Sequence, residues 1–496
     1  MKHEVWKTGL VMAVVTVIAG SAAFAAAGAP AASKAPAVAA PEHTELFCPE
    51  LWKTLHDPTP WLHMGLDFRF RTEYGENFMT LDDDHIDHER EYQRYRARWW
   101  TKWTLSEDIS FNTRLTWEFR TWDEPRTQDV NFNADEAVFD WFNVNLKNLG
   151  GAPLTATLGR QDIMDIGVGW LILDGSCGDG SRTAYFDAVR ATYDWADASS
   201  KVDVILISQV AESNRRLNLI NDQEKAIVKS DETGAILYVT NKSFNPTQLE
   251  GFFIYKNDNP VDGPLEGLAN AWSRKSEIFT FGGAISGLHA EHWKYRAEGA
   301  IQTGTKHDPG FHLNEKDQRV YDLSIGEERD LEAYGALATL EYLFKDSHAN
   351  VTHLTYEYAS GDDADSHDNE QFDPLWGEWP RWSEMLGYTA AYETSPFEMT
   401  NLHRLNIGHK FDLNKQWTLT ADYHALWADE TGSSSRYEIS NGDKFRGSLV
   451  TAWAKFKFSS QLYGHLMGEY FFPGAYYGKG TDDEAFWLRV NVEYVF

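Results

Sequence analysis

Three arginines at alternate positions, Arg94, Arg96 and Arg98, are the most chemically pointed feature of this 496-residue chain. On an extended strand that spacing puts three guanidinium groups on one face, about 7 Å apart. Each is a planar fork of donors that matches a carboxylate. Trp100 and Lys102 continue the row. Similar alternating segments carry Arg69 and Arg71, Arg114, Arg190, Arg296, Arg404, Lys410, Lys455, Lys457 and Arg489. Acids are interleaved on the same faces: Asp67, Glu118, Glu298, Glu357, Asp422, Glu469 and Glu493. Two readings compete. In one, acids and bases on neighbouring strands pair and stiffen a wall. In the other, a row of like charges meets passing anions weakly and repeatedly, as a selectivity ring does. The raw attraction is about 4 kcal/mol at 4 Å for an effective dielectric of 20, and water and salt reduce it.

Other chemistry is poorly represented. The chain has no G-x-S-x-G, no H-E-x-x-H and no phosphate loop, so no enzyme is expected. His289-Ala290-Glu291-His292 reads as a turn and Gly175-Ser176-Cys177-Gly178 as a flexible loop. The formal net charge of −30 argues against nucleic acid, which needs clustered Lys and Arg. The acid surplus sits in loops such as Asp82-Asp83-Asp84 to Glu91 and Gly361-Asp362-Asp363 to Asp373. These read as solvated outer loops that meet lipopolysaccharide through divalent cations. They hold oxygens of the type Ca²⁺ takes, but no EF-hand spacing, and no other cofactor is expected.

The elements that position these residues have a period of two. Leu62, Met64, Leu66, Phe68, Phe70, Thr72 and Tyr74 share one face of the first segment, with His63, Asp67, Arg69, Arg71 and Glu73 on the other. The last segment repeats this, with Phe486 to Phe496 alternating against Trp487, Arg489, Asn491 and Glu493. About eighteen such segments follow one another, the one near 234–241 being the weakest. Most run to about 11–16 residues, long enough to cross a bilayer when tilted. Tight turns near Ser106–Asp108, Asn148–Ala152, Ala196–Ser199, His289, Ser347 and Asn414 alternate with long loops such as 164–182, 213–233, 306–329 and 361–397. Short turns on one side and long loops on the other predict an all-β, transmembrane antiparallel barrel with its turns in the periplasm. Rows such as Tyr95, Trp99, Trp103 and Tyr185, Tyr193, Trp195 suit an aromatic girdle.

The amino terminus is read as an address. Lys2 and Lys7, the apolar run from Leu10 to Ala19 and Ala23-Phe24-Ala25 predict a secretory signal over 1–25. An Ala/Pro-rich periplasmic tether and short polar segment fill 26–60, and the barrel spans 61–496. Cys48 and Cys177 then fall on opposite sides of the membrane and do not pair. The expected location is the outer membrane of a Gram-negative-type bacterium, as a monomer among lipid and lipopolysaccharide.

Several stretches resemble the alginate-export family of outer-membrane barrels. The closest match is Leu158-Gly159-Arg160-Gln161 with the Gly-rich loop to Trp170. Tyr295 to Gly304, which holds Arg296 and Glu298, and Ser360-Gly361-Asp362-Asp363, continuing to Leu375, are also similar. The resemblance implies eighteen strands and an arginine-lined constriction that passes an anionic, alginate-like polysaccharide, in contact with periplasmic export machinery. Arg160 carries over by motif. Alternation from Leu154, Ala156 and Leu158 would turn it outward, so a bulge at Gly159 is expected to turn it inward. The leading expectation is a channel for anionic oligo- or polysaccharide. The alternative is a general or small-anion porin. On the first reading, removing Arg94, Arg96 and Arg98 lowers anion preference.

Overall fold

The computed structural model describes residues 49–496 except 126–136, 164–165, 167–170, 172–184, 212–215, 218–219, 221–229, 261–274, 314–318, 364, 378–379, 388–399, 432–440 and 479. The signal, the tether up to Cys48, and the loop with Trp170 and Cys177 lie outside the described residues. A short helix, α1 (Pro49–His56), precedes eighteen strands. These are β1 (Leu62–Glu76), β2 (Glu89–Thr104), β3 (Ile109–Glu124), β4 (Ala137–Leu146), β5 (Leu154–Gln161), β6 (Phe186–Trp195), β7 (Ser200–Gln209), β8 (Asp231–Asn241) and β9 (Thr247–Asn259). The other half is β10 (Lys275–His289), β11 (Trp293–Leu313), β12 (Arg319–Leu343), β13 (Val351–Ala359), β14 (Leu402–Asp412), β15 (Trp417–Trp427), β16 (Phe445–Lys457), β17 (Leu462–Pro473) and β18 (Ala485–Val495).

Every strand pairs antiparallel with its sequence neighbours, and β18 returns to pair with β1 from Asp67↔Val495 to Glu76↔Phe486. The sheet is therefore a closed cylinder with no free edge, which hydrocarbon demands of any sheet that crosses it. The segment near 234–241 is a full strand, β8, with Ile236 and Tyr238 buried.

Side chains invert the pattern of a soluble protein. Phe68, Phe70, Trp99, Val189, Leu206, Ile301, Leu405 and Ile407 are exposed, on the outer face. Asp67, Arg69, Arg71, Glu73, Arg94 and Arg96 are buried, on the inner one. An apolar outside and a charged inside is what lipid on one face and a lumen on the other select. The turn at Ala290 and Glu291 has positive φ at both residues, as the turn reading requires.

Four expectations are corrected. Residues 306–329 are not a loop: β11 and β12 run on as a hairpin to Leu313 and from Arg319, with one register shift between Asp308 and Gly310. Both β4–β5 and β5–β6 stay in register through Gly159, so no residue is inserted there, although Gly159 has φ +116°. The inserted residue lies one strand away, in β4, where Arg114 faces Trp141 and Leu115 faces Phe139, leaving Asp140 as the extra residue. Tyr185 precedes β6 and is buried beside Val138, so it takes no part in an outer girdle. Finally, the acidic stretch after β13 is solvated only in part: Asp363, Asp365 and Asp368 are exposed, but Asp362, Phe372 and Asp373 are buried, as are Leu375, Met385 and Leu386 beyond it.

That last segment sets the interior. Phe372, Leu375 and Trp376 join inward residues of β6–β12, including Ile205, Ile236, Phe252 and Ile278, in one apolar cluster. Met385 and Leu386 join a second, with Tyr92, Leu426, Leu449, Met467, Phe471 and Trp487. The described stretches 369–377 and 380–387 thus pack against two different parts of the barrel's inner wall.

Ile407 sits at the middle of β14 on the outer face. Ile407→Arg should lower the unfolding free energy in liposomes by about 2–4 kcal/mol, the cost of a charge at the bilayer midplane. A denaturant midpoint within error of the parent would contradict a lipid-facing wall.

Candidate functional site

The alternation of β18, β1, β2 and β3 brings most of the sequence-predicted cations onto one patch of inner wall. They do not stand there as free charges. Glu118 accepts from both Arg69 and Arg94 at 2.6 Å. Glu73 is shared by Arg489, by Arg94 at 3.8 Å and by Arg71 at 4.0 Å. Asp67 pairs with Arg98 at 2.9 Å and with Arg96 at 3.3 Å, and Arg96 also reaches Glu493 at 3.3 Å. Arg94 is 0% exposed. The row Arg94, Arg96, Arg98 is thus a structural ladder whose charge is answered by acids on the neighbouring strands.

Other predicted residues follow the same rule. Arg114 forms a bidentate pair with Asp140, 2.7 Å at the closest, and approaches Asp162 at 3.3 Å. Its guanidinium lies 3.9 Å from the Trp141 ring centroid. Asp140 and Trp141 can both serve Arg114 because the bulge turns two successive side chains to it. Arg190 pairs with Asp203 at 2.8 Å, and Arg296 reaches both Glu250 and Glu298 at 2.8 Å. Arg404 pairs with Glu357 at 2.7 Å and lies over the Trp382 ring.

Arg160 is placed apart. Its register partners are Phe142 and Asp187, and it shares the side of Leu158, which is exposed on the outer face. It is buried there, bonded to Asp187 at 2.8 Å and to the carbonyls of Phe139 and Leu217. With Arg216 and Leu206 it lines a shallow pocket of about 480 Å³. The chain after β7, rather than a bulge, screens it from lipid.

The inserted segment 369–387 supplies the groups that alternation could not reveal. Glu469 of β17 accepts from the Ser383 hydroxyl at 2.5 Å, from Glu384 N–H at 2.8 Å and from Met385 N–H at 3.2 Å. Glu384 reaches back to Arg489 at 3.1 Å. Trp382 stacks on His424, with centroids 5.2 Å apart. At the other end, Trp376 donates to Glu232 at 2.9 Å, and Gln302 donates to the Asp373 carbonyl at 2.7 Å. One signal for this was present: Trp376 and Trp382 fall in a short Trp-rich stretch of a nominal outer loop, where solvent contact gives indoles no reason to be.

Between this segment and the wall of β12–β16 lies a cavity of about 440 Å³. His353, Thr355, Arg381, Trp382, Asp422, Trp453 and Lys455 line it. Towards the periplasm, Lys410, Lys455 and Lys457 project from the lumen faces of β14 and β16 and are exposed. Lys102 is exposed at the same end of β2. Among the described residues, none of these four lysines has a carboxylate within salt-bridge distance. Lys455 lies 5.0 Å from the Trp453 ring centroid.

At the opposite end, Asp82, Asp83 and Asp483 bring three carboxylates within 4.8 Å of one another. The charge of Asp483 pushes the Asp83 carboxyl above its ordinary range.

The profile of the family described as "Alginate export" matches residues 60–485. No curated protein matches by sequence. Among solved structures the chain is similar to OccAB1 of Acinetobacter baumannii, at TM-score 0.53 and 10% identity, covering 88% of this chain and 96% of that one. It is also similar to OccAB2 of Acinetobacter baumannii, at 0.50 and 9%, covering 87% and 98%. For OccD3 (OpdP) of Pseudomonas aeruginosa the values are 0.50 and 8%, covering 87% and 91%. These likenesses are of fold.

Two measurements test the site. Glu73→Gln leaves three guanidinium groups without their shared acid, so unfolding free energy should fall by about 3–5 kcal/mol. A change below about 1 kcal/mol would mean a hydrated, screened wall. Glu469→Ala removes the acceptor that holds residues 383–385, so single-channel conductance should rise in a protein that keeps its folded electrophoretic mobility. Unchanged conductance would show that this anchor does not limit the lumen.

Proposed function

The chain belongs to the alginate-export family and is an outer-membrane β-barrel channel, and from that premise we propose that it passes anionic oligo- or polysaccharide. The observation that carries this reading is the division of the lumen's cations into two sets. Buried arginines are matched by carboxylates. Lys102, Lys410, Lys455 and Lys457 are exposed and have no such partner among the described residues. An ammonium is a compact, hydrated point charge on a flexible stem, so it can follow a moving carboxylate without holding it, as transport requires. Trp100 and Trp453 share the faces that carry Lys102 and Lys455 and offer flat apolar surfaces beside the charge. On this reading the anion track is lysine-based, and the arginines named from the sequence frame it rather than form it.

A second reading, a small-anion porin, is favoured by the inserted segment. The described residues 369–377 and 380–387 lie within the lumen, with the cavity of about 440 Å³ beside the second stretch. A cavity of that volume has room for a small anion, whereas a sugar polymer is longer than the cavity and needs a continuous path beside residues 383–386. Either reading places the protein among lipid and lipopolysaccharide in a Gram-negative-type outer membrane, and the polymer reading adds a periplasmic supplier of chain.

Conductance in planar bilayers separates the two. The combined Lys410→Ala, Lys455→Ala and Lys457→Ala variant should lower the anion-to-cation permeability ratio by roughly twofold or more. Polyuronate added to the parent should block current at concentrations where its monosaccharide does not. Block by neither, with intact anion preference, would leave the small-anion reading standing. Unchanged selectivity in the lysine variant would reject the lysine track.

A further inference from the structure

The approach to β1 gathers donors that the channel reading does not use. Helix α1 ends at His56, Asp57 follows it, and His63 is the second residue of β1. His63 Nδ1 lies 2.5 Å and His56 Nδ1 3.1 Å from the same oxygen, Asp57 Oδ1. One donor atom from each of the three residues lies within 4.8 Å of the others. The backbone holds them there. Asp57 N–H donates to the Lys53 carbonyl at 2.9 Å, and Leu62 N–H to the Thr59 carbonyl at 3.2 Å, which closes the link between helix and strand. His56 packs edge-on to Trp100 at 5.3 Å between centroids. Trp100 in turn lies over Gly65, where a Cβ would meet its ring at 2.7 Å. The ring of His56 is thus seated against the inner wall.

We propose that His56, Asp57 and His63 form a binding site for a divalent transition-metal ion, of which Zn²⁺ is the type, that fastens α1 to the periplasmic rim. Two imidazoles and a carboxylate are a donor set of borderline softness, suited to Zn²⁺, Cu²⁺ or Ni²⁺ rather than to Ca²⁺. Three protein donors leave further coordination positions to water. Without metal, protons on the two Nδ1 atoms bridge to Asp57. The ion takes the place of those bridging protons: each neutral imidazole ligates through its Nδ1 lone pair and carries its one ring proton on Nε2 instead. Hydrogen bonds from His63 and then His56 already hold the Asp57 carboxyl below its usual range, in its ionised, ligating form. The site is independent of what the lumen carries.

The test uses the folded full barrel without a polyhistidine tag. Zn²⁺ is titrated calorimetrically into the parent, His56→Ala and His63→Ala, so that the other histidines of the 17 in the chain cancel in the difference. The parent should bind one more equivalent than either variant, or bind that equivalent at least about tenfold more tightly. Cu²⁺ in the parent should give an electron-paramagnetic-resonance spectrum with nitrogen couplings that are absent in the double variant. Superimposable isotherms and spectra would overturn the site. Trypsin cleavage after the exposed Lys53 reads the fastening. Zn²⁺ should slow it in the parent and leave it unchanged in His63→Ala. Equal cleavage rates with and without Zn²⁺ in the parent would overturn the fastening.

Discussion

A backbone that crosses hydrocarbon has no water to satisfy its N–H and C=O groups, and everything else in this molecule follows from how that demand is met. The antiparallel ladder closes through β18 and β1, so each strand finds partners on both sides. Closure then fixes what the side chains can do. One face of every strand must suit lipid, and Phe68, Leu206, Ile301 and Ile407 do. The other face receives most of the charge that the strands carry. Polarity inside is thus first a consequence of the membrane outside, before it is a device for transport.

That ordering explains why the arginine row is a wall. Arg69, Arg71, Arg94, Arg96, Arg98 and Arg489 share Asp67, Glu73, Glu118 and Glu493 over four adjacent strands. Buried guanidinium groups at such spacing are tenable only with acids between them. A bidentate partner such as Glu118 also fixes geometry, since it ties β1 to β2 and β3 at once. The six arginines exceed the four wall acids, and Glu384 from the inserted segment comes to Arg489. The lysines at the periplasmic end sit where the wall is more open, and flexible stems there can remain hydrated.

Much of this was legible from residue alternation. Period two over long segments specified a barrel, its strand number and the side on which Arg94 or Arg489 lies, because a strand has only two faces. Alternation is silent on what crosses the lumen, and this is where the reading failed. The acidic stretch from Gly361 to Asp373 looked like solvated loop throughout; its middle, with Asp363, Asp365 and Asp368, is exposed, but its two ends are not. In the fold, Asp362 meets Arg329 and Asp373 lies near Lys306, both contributed by the β11–β12 hairpin. Arg160 failed for a related reason. Alternation alone put it outward, a family motif put it inward, and the register keeps it on the outer side. There, Asp187 and the carbonyls of Phe139 and Leu217 satisfy it. The bulge at Asp140 carries no sequence mark, because a bulge is decided by the neighbouring strand.

The inserted segment is held by two unlike kinds of contact, and the difference bears on motion. Its first part, Phe372 to Trp376, is buried in an apolar cluster that several strands share. Apolar packing of that extent is lost as a unit, so this part belongs to the permanent structure. Its second part, Ser383 to Leu386, combines packing with a few charged contacts to Glu469 and Arg489. Each of those partners lies on the wall, and the Arg489 side chain is fully buried there between Glu73 and Glu384, of which Glu384 keeps a quarter of its side chain exposed. Movement of the segment gives up the Glu384 contact and leaves the Glu73–Arg489 pair in place, so the wall need not deform when the segment moves.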